Sequence, residues 1–309
     1  MPEWYRSDVE SGDIRLAVFG YGTSGPDDND DLDKADRPVV VLVHGWPDSH
    51  HLWTHVAPLL AQSFDVYAYD TRGYGDSDRP EDVDRYRLEH LAEDLFAVAD
   101  AVSPGRPVHV IGHDWGSIQS WEAVTTPGAE DRIASFVSVS GPNLGYATAW
   151  LETQLHPPTP SKVRDYLSQQ FHLLYARFFR LPGISDALVP AALSENRWTR
   201  FVALTERVDR SAIVLGPTFR RDTRSGLRYY RANWGSGVTP QARPTSIPVL
   251  EIINTRDIAL RPPVFSKTGD YATALSRRVT PWGHWLPLAH PEYLAEAARE
   301  FIGSLTVPQ

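Results

Sequence analysis

Gly112-His113-Asp114-Trp115-Gly116 puts an acidic residue at the centre of a Gly-x-nucleophile-x-Gly segment. This is the form of a nucleophile elbow, a sharp strand-to-helix turn that usually carries Ser at its centre. Glycines flank the central residue because neighbouring backbone passes close and leaves no room for a Cβ. A carboxylate at that position attacks carbon directly and leaves an ester on the enzyme. The chemistry narrows to opening a strained ring or displacing a leaving group, with water then cleaving the ester. The flanks suit an elbow: 107–111 reads as a short apolar strand and 117–124 as the start of a helix.

Cleaving such an ester needs a base to activate water and an acid to orient the base. In elbow enzymes of this kind the chain order can be nucleophile, acid, His. His284, in Trp282-Gly283-His284-Trp285, follows the last predicted strand. Asp257, in Asn254-Thr255-Arg256-Asp257, follows the strand before it. Both fall where the carboxyl end of a strand delivers a side chain. Glu251 is the nearest other acid, but it lies inside a predicted strand. Ser117 stands one residue past the second glycine of the elbow, out of register for a serine nucleophile. A tetrahedral intermediate also needs donors for its oxyanion. Val43-His44-Gly45-Trp46-Pro47 follows a central strand, so the backbone N–H groups of Trp46 and Trp115 are assigned to that task. His44 is expected to be structural.

The elements that must hold these residues read as an α/β fold. Residues 4–20 alternate like an opening hairpin, and 23–36, rich in Asp, Gly and Asn, reads as a solvated loop. The β-branched run 38–43 is apolar throughout, as suits a central parallel strand buried on both faces. Further strands are expected at 64–69, 133–138, 247–253 and 278–281, and helices at 88–102 and 291–305. Alternation of this kind predicts a mostly parallel sheet with helices on both faces. It breaks between about 142 and 238, where aromatics and arginines follow helical spacing. That stretch is read as a helical cap inserted over the carboxyl edge of the sheet, where open α/β sheets bind ligands. The expected division is 1–141 with 239–309 as the core and 142–238 as the cap.

With 309 residues and 42% hydrophobic content, the chain can form one large domain with an insertion. Its formal net charge of -9 argues against a nucleic-acid or anionic-membrane partner driven by electrostatics. No cysteine is present, so disulfide and thiolate chemistry are excluded. No Cys/His cluster has metal-ligand spacing, and neither a metal nor a cofactor is expected. The N-terminus lacks an apolar h-region, and no run reaches transmembrane length, so a cytoplasmic protein is expected.

His44-Gly45-Trp46-Pro47, Asp70-Thr71-Arg72-Gly73-Tyr74-Gly75-Asp76-Ser77, the 112–116 elbow, Asp257 and His284 together resemble the α/β-hydrolase-fold epoxide hydrolases. The match spans nearly the whole chain. It is also similar to the hydrolase half of actinobacterial fusions with a short-chain dehydrogenase, so the chain is expected to be either a stand-alone hydrolase or a domain cut from such a fusion. The resemblance implies an apolar epoxide and water as reactants. It also implies two cap tyrosines that hydrogen-bond the epoxide oxygen and protonate it as the ring opens. Tyr175 lies in Tyr175-Ala176-Arg177-Phe178-Phe179-Arg180-Leu181-Pro182-Gly183, similar to the family's first tyrosine segment. Tyr230, with Tyr229 as its rival by register, lies in a segment similar to the second.

Three other readings use the same fold. Haloalkane dehalogenases share the Asp elbow and the following Trp. They often carry Asn after His-Gly, where this chain has Trp46, and they need donors for a leaving halide. Fluoroacetate-type dehalogenases place Arg after the nucleophile, where Trp115 stands. Non-catalytic binding proteins of this fold often lose a triad member, and none is missing here.

Overall fold

The computed structural model describes residues 4–22, 37–234 and 240–306. The loop expected at 23–36 and the cap boundary at 238/239 lie outside the described residues. Alternating side chains of the run Val39–Val43 (β3) enter two different cores. Val39, Val41 and Val43 join one cluster, and Val40 and Leu42 join another. A strand buried on both faces has to be apolar throughout, and this one is.

Around β3 lies an eight-stranded sheet in the order β1-β2-β4-β3-β5-β6-β7-β8. Trp4–Ser11 (β1) and Ile14–Tyr21 (β2) form an antiparallel hairpin. β2 also runs antiparallel to Asp65–Tyr69 (β4). From β4 through β3, Val108–His113 (β5), Ile133–Val139 (β6), Val249–Asn254 (β7) and Leu275–Thr280 (β8), every pairing is parallel. The fold class is the one expected.

Helices cover both faces. Ala57–Leu60 (α1), Leu88–Val102 (α2) and Trp115–Val124 (α3) precede β6. Leu286–Ala289 (α11) and Pro291–Thr306 (α12) follow β8. Ala92, Leu95 and Trp121 of α2 and α3 pack into the Val41 side of the sheet. Leu60 of α1 and Leu294, Ala298 and Phe301 of α12 pack into the Leu42 side. In α12 the buried positions Leu294, Ala298, Phe301 and Ile302 recur at helical spacing, which the sequence pattern anticipates.

Between β6 and β7 the described residues form seven α-helices. They are Leu144–Leu155 (α4), Pro160–His172 (α5), Leu174–Phe179 (α6), Ile184–Ala192 (α7), Glu195–Glu206 (α8), Phe219–Ser225 (α9) and Leu227–Asn233 (α10). Asn143, Thr159 and Ser194 cap α4, α5 and α8 through side-chain oxygens, as expected of these residue types. Strand limits differ from the sequence reading by up to three residues. β5 continues two residues beyond 111, so Asp114 follows the strand directly. β8 begins at Leu275 instead of 278 because its Ser and Arg side chains face solvent at the sheet edge and carry no apolar alternation. No described helix is long and apolar enough to cross a membrane.

Candidate active site

β5 ends at His113, and Asp114 takes φ 51°, ψ -121° before α3 begins. That strained turn pushes the carboxylate out beyond the sheet's carboxyl edge. The flanking glycines are required by close approach. A Cβ on Gly116 would sit 2.0 Å from the carbonyl oxygen of Val43, and one on Gly112 would sit 2.7 Å from that of Gly116. A third glycine guards the carboxylate itself, because a Cβ on Gly45 would lie 2.4 Å from Asp114 Oδ1.

Trp46, beyond the end of β3, donates its backbone N–H to Asp114 Oδ1 at 2.9 Å. The Trp115 amide lies in the same wall, where a Cβ on Gly45 would approach it to 2.6 Å. On the other carboxylate oxygen, His284 Nε2 lies 3.5 Å from Asp114 Oδ2. His284 Nδ1 donates to Asp257 Oδ2 at 2.9 Å. Asp257 is fixed in turn, since its Oδ1 accepts the backbone N–H groups of Ala259 at 2.7 Å and Leu260 at 2.9 Å. The three buried side chains, 143 and 27 residues apart along the chain, thus meet as one relay.

Burial opposes charge on this histidine, but the two carboxylates outweigh it and hold the His284 pKa well above its usual value. Burial likewise works against the Asp257 carboxylate, yet His284 and the two amides keep its pKa below the ordinary range. His113 is different. Burial lowers it to about 4, so it is neutral, and its Nε2–H donates to the His284 carbonyl at 2.9 Å. His44 is also lowered to about 4 by burial, and its Nε2 accepts from Thr71 N at 3.0 Å. It therefore packs as a neutral structural residue.

Asp114 and His284 open into a cavity of about 750 Å³. Tyr175 of α6 and Tyr230 of α10 line it with them, their ring centroids 6.1 Å apart. The Trp115 ring packs edge-on against Tyr230, their centroids 4.9 Å apart. Burial raises both phenol pKa values, so the hydroxyls stay protonated. Tyr229 points elsewhere. Its hydroxyl donates to Arg72 O at 2.7 Å and lies 3.1 Å from Thr71 Oγ1, outside the cavity wall. Apart from these polar groups the wall is apolar, built from residues such as Phe178, Phe179, Val189 and Trp198.

Glu251 lies away from this site, with its carboxylate on Arg277 Nε at 2.8 Å and Thr268 Oγ1 at 2.7 Å. Ser117 is buried behind the elbow and donates to Gly141 O at 2.7 Å. Two acids beside the relay escaped the sequence reading. Asp48 accepts from Trp285 Nε1 at 3.1 Å, and burial raises its pKa to about 7. Glu206, at the end of α8, presses its carboxylate on Gly283, where a Cβ would fall 2.3 Å from Oε2. Burial raises its pKa as well. Asp48 could have been suspected from its place in the Trp46 loop, but nothing local marks Glu206. The Asp70–Ser77 motif is a scaffold: Asp70 Oδ1 accepts His50 N at 3.0 Å and Oδ2 accepts Asp76 N at 2.9 Å.

Residues 38–291 match the family described as alpha/beta hydrolase fold. Over 300 residues the chain is 37% identical to the Probable oxidoreductase EphD of Mycobacterium tuberculosis, covering 95% of this chain and 48% of that protein. It thus spans about half the length of the first curated relatives it matches. It is 28% identical to Epoxide hydrolase A of the same organism, covering 96% of this chain and 97% of the relative. A solved structure from work on epoxide hydrolases in metagenomes from hot environments superposes with a TM-score of 0.72 at 26% identity, covering 97% and 98% of the two chains. A Bacillus megaterium epoxide hydrolase shares the fold, with a TM-score of 0.74 at 17% identity over 97% of this chain and 100% of the other. The chain belongs to the alpha/beta hydrolase fold family.

Proposed function

We propose that this chain is an epoxide hydrolase that converts an apolar epoxide to a vicinal diol through an ester on Asp114. One observation carries the reading: two protonated phenols, Tyr175 and Tyr230, share an apolar cavity with a carboxylate nucleophile and its histidine base. The names of the relatives support it. The 142–238 segment acts as the cap that supplies the two tyrosines.

Asp114 Oδ2 attacks an epoxide carbon from behind, forming a C–O bond as the ring C–O bond breaks. The electron pair moves to the ring oxygen, which takes a proton from Tyr175 or Tyr230. A phenol of pKa ~10 is a far better acid for this than an alcohol. The tyrosinate regains a proton from the His284 imidazolium by way of water, which leaves His284 neutral. His284, oriented by Asp257, then removes a proton from water, and the hydroxide attacks the ester carbonyl carbon. The N–H groups of Trp46 and Trp115 hold the oxyanion. Collapse breaks the acyl C–O bond and releases the diol, restoring the Asp114 carboxylate and the His284 imidazolium.

One diol oxygen therefore comes from Asp114. A single turnover in H2(18)O, with enzyme in excess over a styrene-type epoxide, should give unlabelled diol and leave label in the Asp114 peptide. Label in the first-turnover diol would mean direct attack by water and would overturn the mechanism. Release of halide from a primary haloalkane, with no diol from a styrene-type or a long-chain fatty epoxide, would move the function to dehalogenation.

A further inference from the structure

The large apolar residues that both line the cavity and face solvent are Leu188, Phe201 and Ile258, which are 54%, 40% and 37% exposed. They form its mouth. From there, exposed apolar residues continue outward along three helices. On α7, Ile184, Ala187, Leu188 and Ala191 recur at helical spacing and are all exposed. On α8, Leu204 follows Phe201 by one turn and is 70% exposed. On α5, Leu167 and Phe171 share a face, and Phe171 is 70% exposed. Gln169 ties α5 to the mouth: its Nε2 donates to Ala259 O at 2.8 Å and its Oε1 accepts from Arg261 N at 2.8 Å. Large apolar side chains clustered on a surface mark an interaction site.

Arginines share these stripes. Arg164 lies one turn before Leu167 on α5, and Arg197 and Arg200 lie one turn before Phe201 and Leu204 on α8, all exposed. The local charge is opposite to that of the whole chain. Residues 142–238 carry 13 Lys and Arg against 7 Asp and Glu, whereas the full chain carries 30 against 39. The overall charge of -9 therefore conceals a positive roof over a negative body.

We propose that this roof docks on an anionic phospholipid bilayer, with the cavity mouth against the surface, so that a membrane-dissolved epoxide enters without crossing water. The docking rests on the exposed stripes and their arginines, and the loading of an epoxide rests on the function proposed above. Apolar stripes flanked by arginines suit the headgroup boundary, where side chains such as Phe and Leu insert and basic groups meet anionic lipid. A second copy of the chain is a poorer occupant. Two such faces would bring like charges together and seal both mouths.

The test is co-sedimentation of the intact chain, without substrate, with vesicles of phosphatidylcholine alone or mixed with phosphatidylglycerol. The wild type should bind the mixed vesicles, bind pure phosphatidylcholine weakly, and release at high salt. The Phe171→Glu/Leu204→Glu variant should lose at least about tenfold in binding. It should still turn over a short water-soluble epoxide like the wild type, because neither residue lines the cavity. Arg164→Gln/Arg200→Gln should remove the preference for phosphatidylglycerol. Wild type that stays in the supernatant with mixed vesicles would overturn the docking, as would a glutamate variant that binds undiminished. So would a solution dimer that the same two glutamates split, since a second copy would then be the occupant. Vesicle binding without turnover of any epoxide would leave the docking in place and remove the proposed function.

Discussion

Asp257→Asn probes the relay because the structure dictates how the replacement amide must sit. Oδ1 of Asp257 accepts two backbone N–H groups, from Ala259 and Leu260. An asparagine has one oxygen, and those two donors hold it there. Its NH2 then faces His284 Nδ1 at the present 2.9 Å. An NH2 only donates, so Nδ1 has to become an acceptor, and the imidazole proton moves to Nε2. That nitrogen is the one 3.5 Å from Asp114, where the base is needed. The histidine remains in place but carries its proton on the wrong side. Losing a charge-assisted hydrogen bond contributes ~1.5–3 kcal/mol. The wrong tautomer brings the total to roughly 10³–10⁴-fold in ester hydrolysis, or ~4–5.5 kcal/mol. Ester formation needs only the Asp114 carboxylate and the tyrosines, so it should change far less. Rapid quench with an epoxide should show one equivalent of substrate consumed and no diol released, and intact mass should rise by the mass of the epoxide. Turnover within about tenfold of wild type would refute the reasoning, as would a dead variant in which no ester accumulates.

The other predictions concern the phenols, the pH response and the scaffold. Tyr175→Phe and Tyr230→Phe should each slow ring opening by ~10–10²-fold in single-turnover assays, and the double variant by more than either. Tyr229→Phe should leave turnover intact but lower stability to urea by ~1–3 kcal/mol, because Arg72 O loses its buried donor. In the resting protein the raised pKa of His284 favours the imidazolium. This group therefore adds stability below its unfolded pKa of ~6.5, and that contribution fades as pH rises through the higher folded value. Esterification removes one of the two stabilising carboxylates, so ester hydrolysis should show a lower His284 pKa than NMR titration of the free protein. Equal values would argue against Asp114 as its partner. Arg72→Met should cost ~3–5 kcal/mol in urea unfolding, since it strands the buried Asp94 carboxylate that Arg72 Nη2 now meets at 2.7 Å.

Much of this protein is local enough to read from the chain. β3 is recognisable because a strand buried on both faces must be apolar at every position, and α2 runs over the expected 88–102 because its buried residues follow helical spacing. The elbow is legible because only glycine permits the backbone contacts at 112 and 116. Chain order and strand ends sufficed to pick Asp257 and His284, which the fold brings to Asp114. Only tertiary packing separates Tyr230 from Tyr229. Adjacent residues on a helix point about 100° apart, and nothing in the segment says which side of α10 faces the cavity. The same holds for Glu206, whose carboxylate reaches Gly283 across 77 residues of chain, and for Asp48 beneath Trp285. It holds for the roof as well: its arginines are visible as a list, but their alignment with exposed Phe171, Leu204 and the cavity mouth exists only once the helices are packed. Local sequence encodes strand, turn and helix, whereas the meeting of side chains from distant segments is set by how those elements bury their apolar faces together.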